Sequence, residues 1–465
     1  EMFFDDALTA SRELELTLTG KACGLPDRAP MCGVPFHSYE IYAARLIAKG
    51  YKVAICEQME DPALAKGLVK RDIIRVITPG TVIESSMLAD DKNNYICSIY
   101  TRKVRSRWKA GICFADISTG EAYATELTAE KMGPAIITEL CRYMPSEILI
   151  NPALLDLKEV TNYVRQHTHA LVELREDACY QQRVMEDAMT AQFGADWRNT
   201  CGFAQDGLVP YAFGALLGYL HETQKHGIDR IKSVQNYADA QYMRLSPVTR
   251  ANLELTETMR GREKRGTLLW VLDKTETSMG KRQLRAWIEQ PLVDSSVINQ
   301  RLDAVEALYN ANVTRADLKE ALSHVYDIER LTTRILYGSA TPKEVKALGD
   351  TCVYLPQVRQ LARQCTTPLL QELSGAVDPL EDLLNLINRA LVEDPPANLK
   401  DGGAIRAGFN AEVDELRDIM HGGKGFLSQL EAKLKEETGI PKLKIGFNKA
   451  VSYTHLRAHE TELHL

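Results

Sequence analysis

Residues 95–125, YICSIYTRKVRSRWKAGICFADISTGEAYAT, predict the fold class of the middle of the chain. It contains three segments rich in β-branched and aromatic residues: 95–101, 108–117 and 121–125. Ser118-Thr119-Gly120, between the last two segments, is typical of a hairpin turn. Helical patterns follow, between residues 133 and 224. Strands followed by helices predict a compact α/β domain.

Residues 1–88 predict a smaller domain of mixed α/β type. Ser38 can cap the amino end of a helix that Gly50 ends, and two short apolar runs follow at 53–56 and 73–77. Both runs contain β-branched residues, as strands do. The polar stretch ADDKNN at 89–94 then predicts a linker between this domain and the next.

Residues beyond about 240 carry almost no strand pattern. Ser246-Pro247 places a capping residue before a proline at the first helical position. Further helices are predicted at 280–289, 296–309, 316–336, 342–364 and 377–392. Between 400 and 435, apolar residues recur at three- and four-residue steps, with Glu and Lys between them. The pattern predicts an all-α domain followed by long helices that pack in pairs, as in a coiled arm.

The composition indicates a protein of several domains. With 465 residues, of which 45% are hydrophobic and 26% charged, the chain can bury several cores, and three or four domains are expected. The nearest approach to a membrane span, 208–220, is interrupted by proline and glycine, and the first residues lack the basic start of a signal peptide. The ten cysteines form no C-x-x-C pair. We therefore expect a soluble, cytoplasmic protein with reduced thiols.

The net charge of −7 constrains how the chain could bind nucleic acid. Neutralisation of phosphates by Lys and Arg releases counterions and drives such binding, so a small protein that binds DNA over its whole surface is basic. An acidic chain can bind DNA only through local contacts on a minority of its surface.

Six segments occur in an order and spacing that point to one protein family. They are MCGVPFH at 31–37, VAICEQ at 53–58, RVITPGT at 75–81, RANLEL at 250–255, GKRQLRAW at 280–287, and DGG through GFN at 401–410. Each motif alone is weak, but the collinear set is specific. Together they resemble the MutS family of bacterial DNA mismatch-repair proteins across residues 1–449.

The resemblance implies a multidomain protein of α/β and all-α type. It implies a mixed α/β mismatch-binding domain, an RNase H-like α/β connector, an α-helical lever or core domain, and the start of a helical clamp. The corresponding ranges are 1–88, 95–225, 226–404 and 405–449. Residues 450–465 depart from the pattern and are predicted to be a non-native tail. His455 and His459 could share a metal ion on a helix, but the H-E-x-x-H motif is absent and no metal site is expected.

The resemblance also implies partners and a nucleotide. MutS proteins bind mismatched double-stranded DNA, form homodimers that act as sliding clamps, and signal to MutL. ATP and Mg²⁺ belong to a C-terminal ATPase domain of the family. The glycine-rich stretches at 261–267 and 422–425 lack the G-x-x-x-x-G-K-[ST] pattern of a phosphate-binding loop. We therefore expect no cofactor and no enzyme activity in this chain, and mostly a monomer, because the family's dimer contacts lie largely in its C-terminal part.

Mismatch recognition in the family uses a Phe-x-Glu motif. The phenylalanine wedges into a base stack that mispairing has already weakened, and the glutamate bonds the displaced base. Glu1 is similar in position to this glutamate, whereas the phenylalanine two residues earlier is absent. Phe3 and Phe4 follow the motif instead and are interpreted as core residues. The sequence therefore predicts weak mismatch selectivity.

The remaining candidate DNA-binding residues come from the same resemblance and from local charge. The family's minor-groove loop matches Met31, Gly33, Val34, Pro35 and His37, for which a tight turn before a helix is the alternative. Phosphate contacts are predicted for Lys66, Lys70, Arg71 and Arg75. In the clamp region, Lys442 and Lys444, with Lys449 nearby, are predicted near the duplex backbone, although we expect the tail to prevent a complete grip.

Two further features leave other functions open. Asp116 is at the first-strand position of an RNase H-like nuclease, but no convincing partner carboxylates for two-metal hydrolysis are found. The densest basic run, RKVRSRWK at 102–109, is interpreted as a solvated hairpin loop rather than a nucleic-acid surface. The alternatives to mismatch binding are a metal-dependent RNase H-like nuclease, a MutS paralogue that binds branched DNA, and a purely structural helical scaffold.

Overall fold

The computed structural model describes residues 1–24, 26–60, 69–105, 107–224, 228–238, 241–438, 444–448 and 453–457. The chain divides into two compact units. The larger unit comprises Glu1–Ala340 and Ala347–Leu380, and the smaller one comprises Thr341–Lys346 and Glu381–Leu465. Among the described residues, no helix has both the length and the apolar character needed to cross a membrane.

The first region contains two small sheets with helices beside them. Its elements are β1 (Met2–Phe3), α1 (Phe4–Leu14), β2 (Thr19–Lys21), β3 (Ala29–Cys32), α2 (Tyr39–Ala48), β4 (Val53–Gln58) and β5 (Arg71–Ile77). β3 is the central strand of an antiparallel sheet ordered β1-β3-β2, and β4 pairs with β5 in a second antiparallel sheet. The small side chains of Ala7 and Ala10 let α1 pack closely on Cys32 of β3. The predicted mixed α/β character of this region is confirmed.

A six-stranded sheet forms the centre of the next region. Its elements are β6 (Ile96–Val104), β7 (Arg107–Asp116), β8 (Glu121–Thr128), α3 (Met132–Tyr143), β9 (Glu147–Ile150), α4 (Lys158–His167), β10 (Leu171–Leu174), α5 (Gln182–Phe193), α6 (Trp197–Cys201), α7 (Val209–Gln224) and β11 (Gln235–Asn236). The strand order is β10-β9-β6-β7-β8-β11. β6, β7 and β8 form an antiparallel meander, whereas β9 pairs parallel with β6, β10 with β9, and β11 with β8.

Both faces of this sheet are covered, as its alternating side chains require. Ile112 and Phe114 of β7 belong to a core with α3 and α4, whereas Cys113 and Ala115 belong to a core with α5 and α7. All four side chains are fully buried. The three strands predicted from the 95–125 stretch are therefore the centre of an α/β layer structure.

Helices dominate the chain beyond residue 246. They are α8 (Pro247–Asn252), α9 (Leu268–Leu272), α10 (Ser278–Glu289), α11 (Ser295–Asn310), α12 (Asn312–Ser323), α13 (Ile328–Leu336), α14 (Pro342–Arg363), α15 (Pro368–Ala376), α16 (Glu381–Ala390) and α17 (Ala411–Thr438). Ser246 caps α8 as predicted, since its hydroxyl accepts a hydrogen bond from the Thr249 amide at 3.1 Å. The predicted helical character of this part is confirmed.

One predicted helix is two helices in the structure. The pattern at 316–336 predicted a single helix, but α12 ends at Ser323 and α13 begins at Ile328. Asp327 lies between them and caps α13 by accepting a hydrogen bond from the Arg330 amide at 3.4 Å. The same carboxylate binds Arg282 of α10 at 2.6 Å. The break therefore serves a tertiary contact that helical periodicity does not reveal.

A short two-stranded sheet lies near the carboxyl end of the described chain. β12 (Lys444–Asn448) pairs antiparallel with β13 (Tyr453–Arg457). The segment interpreted as a non-native tail, 450–465, thus contributes a strand to the fold, and its non-native origin stays a prediction. His455 lies in β13 rather than in a helix, and His459 lies outside the described residues.

Candidate DNA-binding surface

Pairing of β1 with β3 brings Glu1 beside the predicted minor-groove loop. Met2 lies opposite Cys32, and Phe3 lies opposite Met31. Glu1 is consequently next to Gly33, where an added Cβ atom would be 3.8 Å from the Glu1 Cα atom. Glu1 and Gly33, two candidates that are far apart in the sequence, therefore lie side by side at one end of the sheet.

Lys21 at the end of β2 joins this surface from the other side of β3. Its ammonium nitrogen lies 3.1 Å from a Glu1 carboxylate oxygen and 5.4 Å from the centre of the Phe3 ring. The hydrogen bond and the charge of Lys21 lower the pKa of Glu1, and Arg71 contributes to the same shift through its charge. Sequence reasoning missed Lys21, because a lone lysine has no recognisable signal until the strand register is known.

Aromatic side chains near this surface differ in exposure. Phe4, at the start of α1, is 52% exposed, so the interpretation of it as a core residue is wrong. Phe3 is half-buried. Phe36, which sequence reasoning did not single out, is 67% exposed, and its ring centre lies 6.3 Å from that of Tyr39. Where a protein surface contacts DNA, an exposed aromatic ring can stack on bases or insert between them.

The 31–38 loop is a compact turn on the surface. The Ser38 amide donates a hydrogen bond to the Pro35 carbonyl at 3.1 Å, which closes one 3-10 turn before α2. Met31 and Val34 are half-buried and anchor the loop. Its exposed candidates are Gly33, Pro35 and His37. The tight turn that was the alternative interpretation is present, and it leaves these three residues exposed, with Gly33 next to Glu1.

The basic residues of the first region do not act as one cluster. Lys70 and Arg71 are exposed where β5 begins. The side chain of Arg75, by contrast, is only 13% exposed. Its guanidinium donates hydrogen bonds to Glu84 at 2.5 Å and to Gln224 of α7 at 2.9 Å. This geometry gives Arg75 a structural role between β5 and α7, so we leave it out of the candidate DNA-binding surface.

The other predicted lysines are described incompletely or not at all. Lys66, Lys442 and Lys449 lie outside the described residues. Lys444 begins β12, for which the strand pairing is described and the side chains are not. Their contacts with DNA stay predictions.

Asp116 is engaged in hydrogen bonds at the end of β7. Its side chain is buried, and one carboxylate oxygen accepts hydrogen bonds from the amide and hydroxyl of Ser118 at 2.9 and 2.7 Å. The other oxygen accepts from the Asn94 amide at 3.0 Å. Across the described residues, no group of His, Cys, Asp and Glu could hold a metal ion. The geometry therefore favours a structural role over two-metal hydrolysis.

Basic side chains of the helical region hold the linker at 89–94. Arg330 donates to the carbonyl oxygens of Ala89 at 3.0 Å and Lys92 at 2.8 Å. Arg285 donates to the Asp91 carbonyl at 3.0 Å, and the Lys264 ammonium lies 3.0 Å from the Asp91 carboxylate. The GKRQLRAW motif thus has a structural explanation, because it supplies both Arg285 and Arg282, and the latter donates to the Asp90 carbonyl at 3.4 Å.

Comparison with known protein families divides the chain in the same order. Residues 1–86 match the family described as MutS domain I, residues 94–235 match MutS domain II, and residues 248–460 match MutS domain III. The chain belongs to the MutS family. The resemblance inferred from the six segments is confirmed, and the Glu1, Lys21 and Gly33 surface lies in MutS domain I.

Several curated relatives carry the name DNA mismatch repair protein MutS. The protein of Ruminiclostridium cellulolyticum is 45% identical over 453 residues, which cover 97% of this chain and 51% of that protein. That of Alkaliphilus oremlandii is 43% identical over 468 residues, 100% of this chain and 52% of that protein. The protein of Acetivibrio thermocellus is 45% identical over 453 residues, which cover 97% of this chain and 51% of that protein. The chain spans about half the length of these MutS relatives.

Proposed function

We propose that this MutS-family chain binds mismatched and matched duplex DNA in DNA mismatch repair, with domain I against the minor groove. The observation that carries the proposal is the placement of Glu1, Gly33 and Lys21 on one surface of the domain I sheet. A carboxylate can accept a hydrogen bond from a displaced base, and the neighbouring Lys21 can contact phosphates. The name of its relatives, DNA mismatch repair protein, supports the same conclusion.

The Glu1–Lys21 ion pair is suited to exchange between free and DNA-bound states. The two side chains are 54% and 50% exposed, and an exposed pair of this kind contributes only about 0–1 kcal/mol. A phosphate can therefore take Lys21 at little energetic cost. Glu1 is then released to accept a hydrogen bond from a base edge.

We expect the mismatch preference of this chain to be modest. The aromatic residue paired with the minor-groove loop, Phe3, is half-buried and lies beneath the Lys21 ammonium. Insertion of Phe3 between bases would first require it to leave this position. The preference for a mismatch is therefore expected to stay below about tenfold, which corresponds to roughly 1.4 kcal/mol.

We also propose finer assignments for the other regions. An RNase H-like fold for the connector, residues 95–225, is supported by the antiparallel meander that β9 extends in parallel and by helices on both faces. A lever at 226–404 and the start of a clamp at 405–449 are supported by the run of helices and by α17, which is 28 residues long. We place the carboxyl end of the mismatch-binding domain at residue 88, before the linker at 89–94.

The remaining assignments concern the longer MutS protein and its location. We propose that ATP and Mg²⁺ binding, homodimer formation and signalling to MutL belong to the full-length family protein. For this chain we propose a DNA-binding role without catalysis, mostly as a monomer, in the cytoplasm. A dimer detected by light scattering at micromolar concentration would contradict the proposed monomeric state.

Fluorescence anisotropy with a G·T-mismatched duplex and its matched control tests the proposed function. At about 50 mM salt we expect binding of both duplexes, and weaker binding at about 200 mM, because phosphate contacts release counterions. Lys21→Ser and Arg71→Ser should each weaken binding to both duplexes. Arg183→Ser is the matched control, since the Arg183 side chain is 93% exposed on α5 of the connector. No binding to either duplex, or equal effects of all three variants, would refute the proposed surface.

A further inference from the structure

The outer end of the β6–β7 hairpin carries a second concentration of positive charge. Its basic residues are Arg102, Lys103, Arg105, Arg107 and Lys109. The first four are exposed, and Lys109 is half-buried. At the level of Thr101 and Ala110, which are 1% and 0% exposed, both strands are still in the core. Beyond that level the hairpin extends into solvent.

The strand register places three of these cations on one face. Arg102 lies opposite Lys109, and Val104 lies opposite Arg107. Directly opposed residues of an antiparallel pair point to the same side, as do residues two apart on one strand. Arg102, Arg107 and Lys109 therefore form one face of the hairpin, which we name the hairpin basic face. Like charges directly opposite each other destabilise a strand pair.

The charge of this hairpin end lacks a direct ion pair within the described part of the chain. None of the five basic side chains forms a salt bridge there, although the whole chain has a net charge of −7. Solvation alone explains why the side chains are exposed. Solvation does not explain why Arg102 and Lys109, two like charges, lie opposite each other on a regular strand pair of an acidic protein. Binding of an anionic partner would explain this arrangement.

Trp108 anchors the hairpin from its other face. It lies opposite Lys103, whose ammonium is 5.9 Å from the centre of the Trp108 ring, and the ring packs against the core on the α3 side of the sheet. The hairpin basic face thus lies on hydrogen-bonded strands whose inner end is anchored in the core by Trp108. Such preorganisation reduces the conformational entropy that is lost on binding.

We infer that the hairpin basic face is a second DNA-binding surface, which contacts the phosphate backbone of duplex DNA outside the mismatch. Guanidinium groups bind phosphate oxygens in a bidentate manner, and such contacts are independent of base sequence. A protein partner would require an apolar centre as well. Among its described residues the face has one apolar side chain, Val104, which is 39% exposed. One valine does not form such a centre, so DNA is favoured over a protein partner. The inference rests on the proposed DNA-binding function of the chain.

The test is a salt series of anisotropy measurements with a matched duplex. The triple variant Arg102→Ser, Arg107→Ser, Lys109→Ser should bind at least about fivefold more weakly at low salt. The slope of log K against log salt should fall by about 2 to 3, since each phosphate contact contributes about 0.9. The preference for a G·T mismatch should stay unchanged, because domain I is untouched.

A second triple variant controls for net charge. Lys158→Ser, Arg165→Ser and Arg183→Ser remove the same charge from exposed positions on α4 and α5. Equal effects of the two triple variants, or none from the hairpin variant, overturn the inference while the parent still binds DNA. If the parent binds no duplex, the proposed function fails as well. Circular dichroism melting of both variants establishes that they are folded.

Crosslinking from the hairpin gives an independent readout. A photoactivatable group attached to Val104→Cys should crosslink to labelled matched duplex, and unlabelled duplex should compete for the reaction. The same group attached to Val184→Cys, exposed on α5, should give little crosslinking. If the group crosslinked to polyglutamate and an excess of duplex DNA did not reduce this crosslinking, the face would bind an acidic protein. That result would overturn the DNA assignment.

Discussion

At the scale of single residues, Glu121 at the start of β8 makes stability depend on pH. Burial, followed by the charges of Glu329 and Asp116, raises the pKa of Glu121 from 4.5 to about 7. Between these two values the folded state holds a proton that the unfolded state has released. Stability therefore falls as pH rises through this window.

The variant Glu121→Gln removes this titration. Its amide oxygen can still accept the hydrogen bond that Asn93 donates at 2.9 Å. We expect the variant to be more stable than the parent at pH 8, by up to about 3 kcal/mol, and to gain little at pH 5. Thermal unfolding at both pH values measures the difference. The same gain at pH 5 and pH 8 would contradict this explanation.

Arg282 is the most deeply buried cation of the helical region that binds two carboxylates. Its side chain is 3% exposed and lies 2.6 Å from Asp327 and 2.5 Å from Glu329. Burial alone would raise the pKa of Asp327, but hydrogen bonds and charge from Arg282 outweigh it and lower that pKa. This contribution to stability is present above about pH 4 and is lost as pH falls further.

Replacement of Arg282 by methionine removes the cation that Asp327 and Glu329 share, and it leaves Asp327 only its longer contact with Arg330 at 3.9 Å. Removal of one partner of a buried ion pair costs about 3–5 kcal/mol, and we expect Arg282→Met to lose stability in that range. Urea unfolding at pH 7 measures the loss. Arg183→Met, which breaks an exposed pair with Asp187, should change stability by less than about 1 kcal/mol. If Arg282→Met also lost less than about 1 kcal/mol, the buried ion pair would not be structurally important.

At the scale of elements, Gly111 determines how closely α7 approaches the sheet. A Cβ atom at Gly111 of β7 would lie 2.3 Å from the carbonyl carbon of Leu208, directly before α7. Backbone cannot yield as a side chain can, so Gly111→Ala is expected to destabilise the connector by at least about 1–3 kcal/mol. Gly218→Ala is the control within α7, because nothing lies within 4 Å of its added Cβ atom. This control should be neutral or gain about 0.5–1 kcal/mol in urea unfolding.

Elements were predictable where their pattern is local. The β6–β7–β8 meander follows from β-branched runs and a turn, and α8 follows from Ser246-Pro247. The break between α12 and α13 was not predictable, since apolar spacing continues through it. The carboxylate of Asp327, which caps α13, also binds Arg282 of another helix, and apolar spacing does not reveal this contact.

At the scale of the larger unit, the linker at 89–94 connects domain I, domain II and the helical region. Arg330 of α13, whose side chain is 5% exposed, holds the carbonyl oxygens of Ala89 and Lys92. A linker held in this way can transmit a displacement of domain I to the helices, whereas a flexible linker would absorb it.

The variant Arg330→Gln should loosen this linker. We expect faster tryptic cleavage after Lys92 and faster amide exchange at 89–94, because local opening no longer has to break these hydrogen bonds. Arg183→Gln is the matched control for the loss of one arginine. Unchanged cleavage after Lys92 in Arg330→Gln would mean that other contacts hold the linker.

The order of the α/β and helical regions and the MutS resemblance follow from the amino-acid sequence alone. These depend on patterns between neighbouring residues and on collinear motifs. The folded structure was needed to see that Lys21 and Glu1 form a pair, that Arg75 is buried against α7, and that Phe4 is exposed. Each of these facts depends on strand register or packing between distant segments. Such contacts leave no periodic signal, because a side chain's partners are determined by the fold and not by its neighbours in the chain.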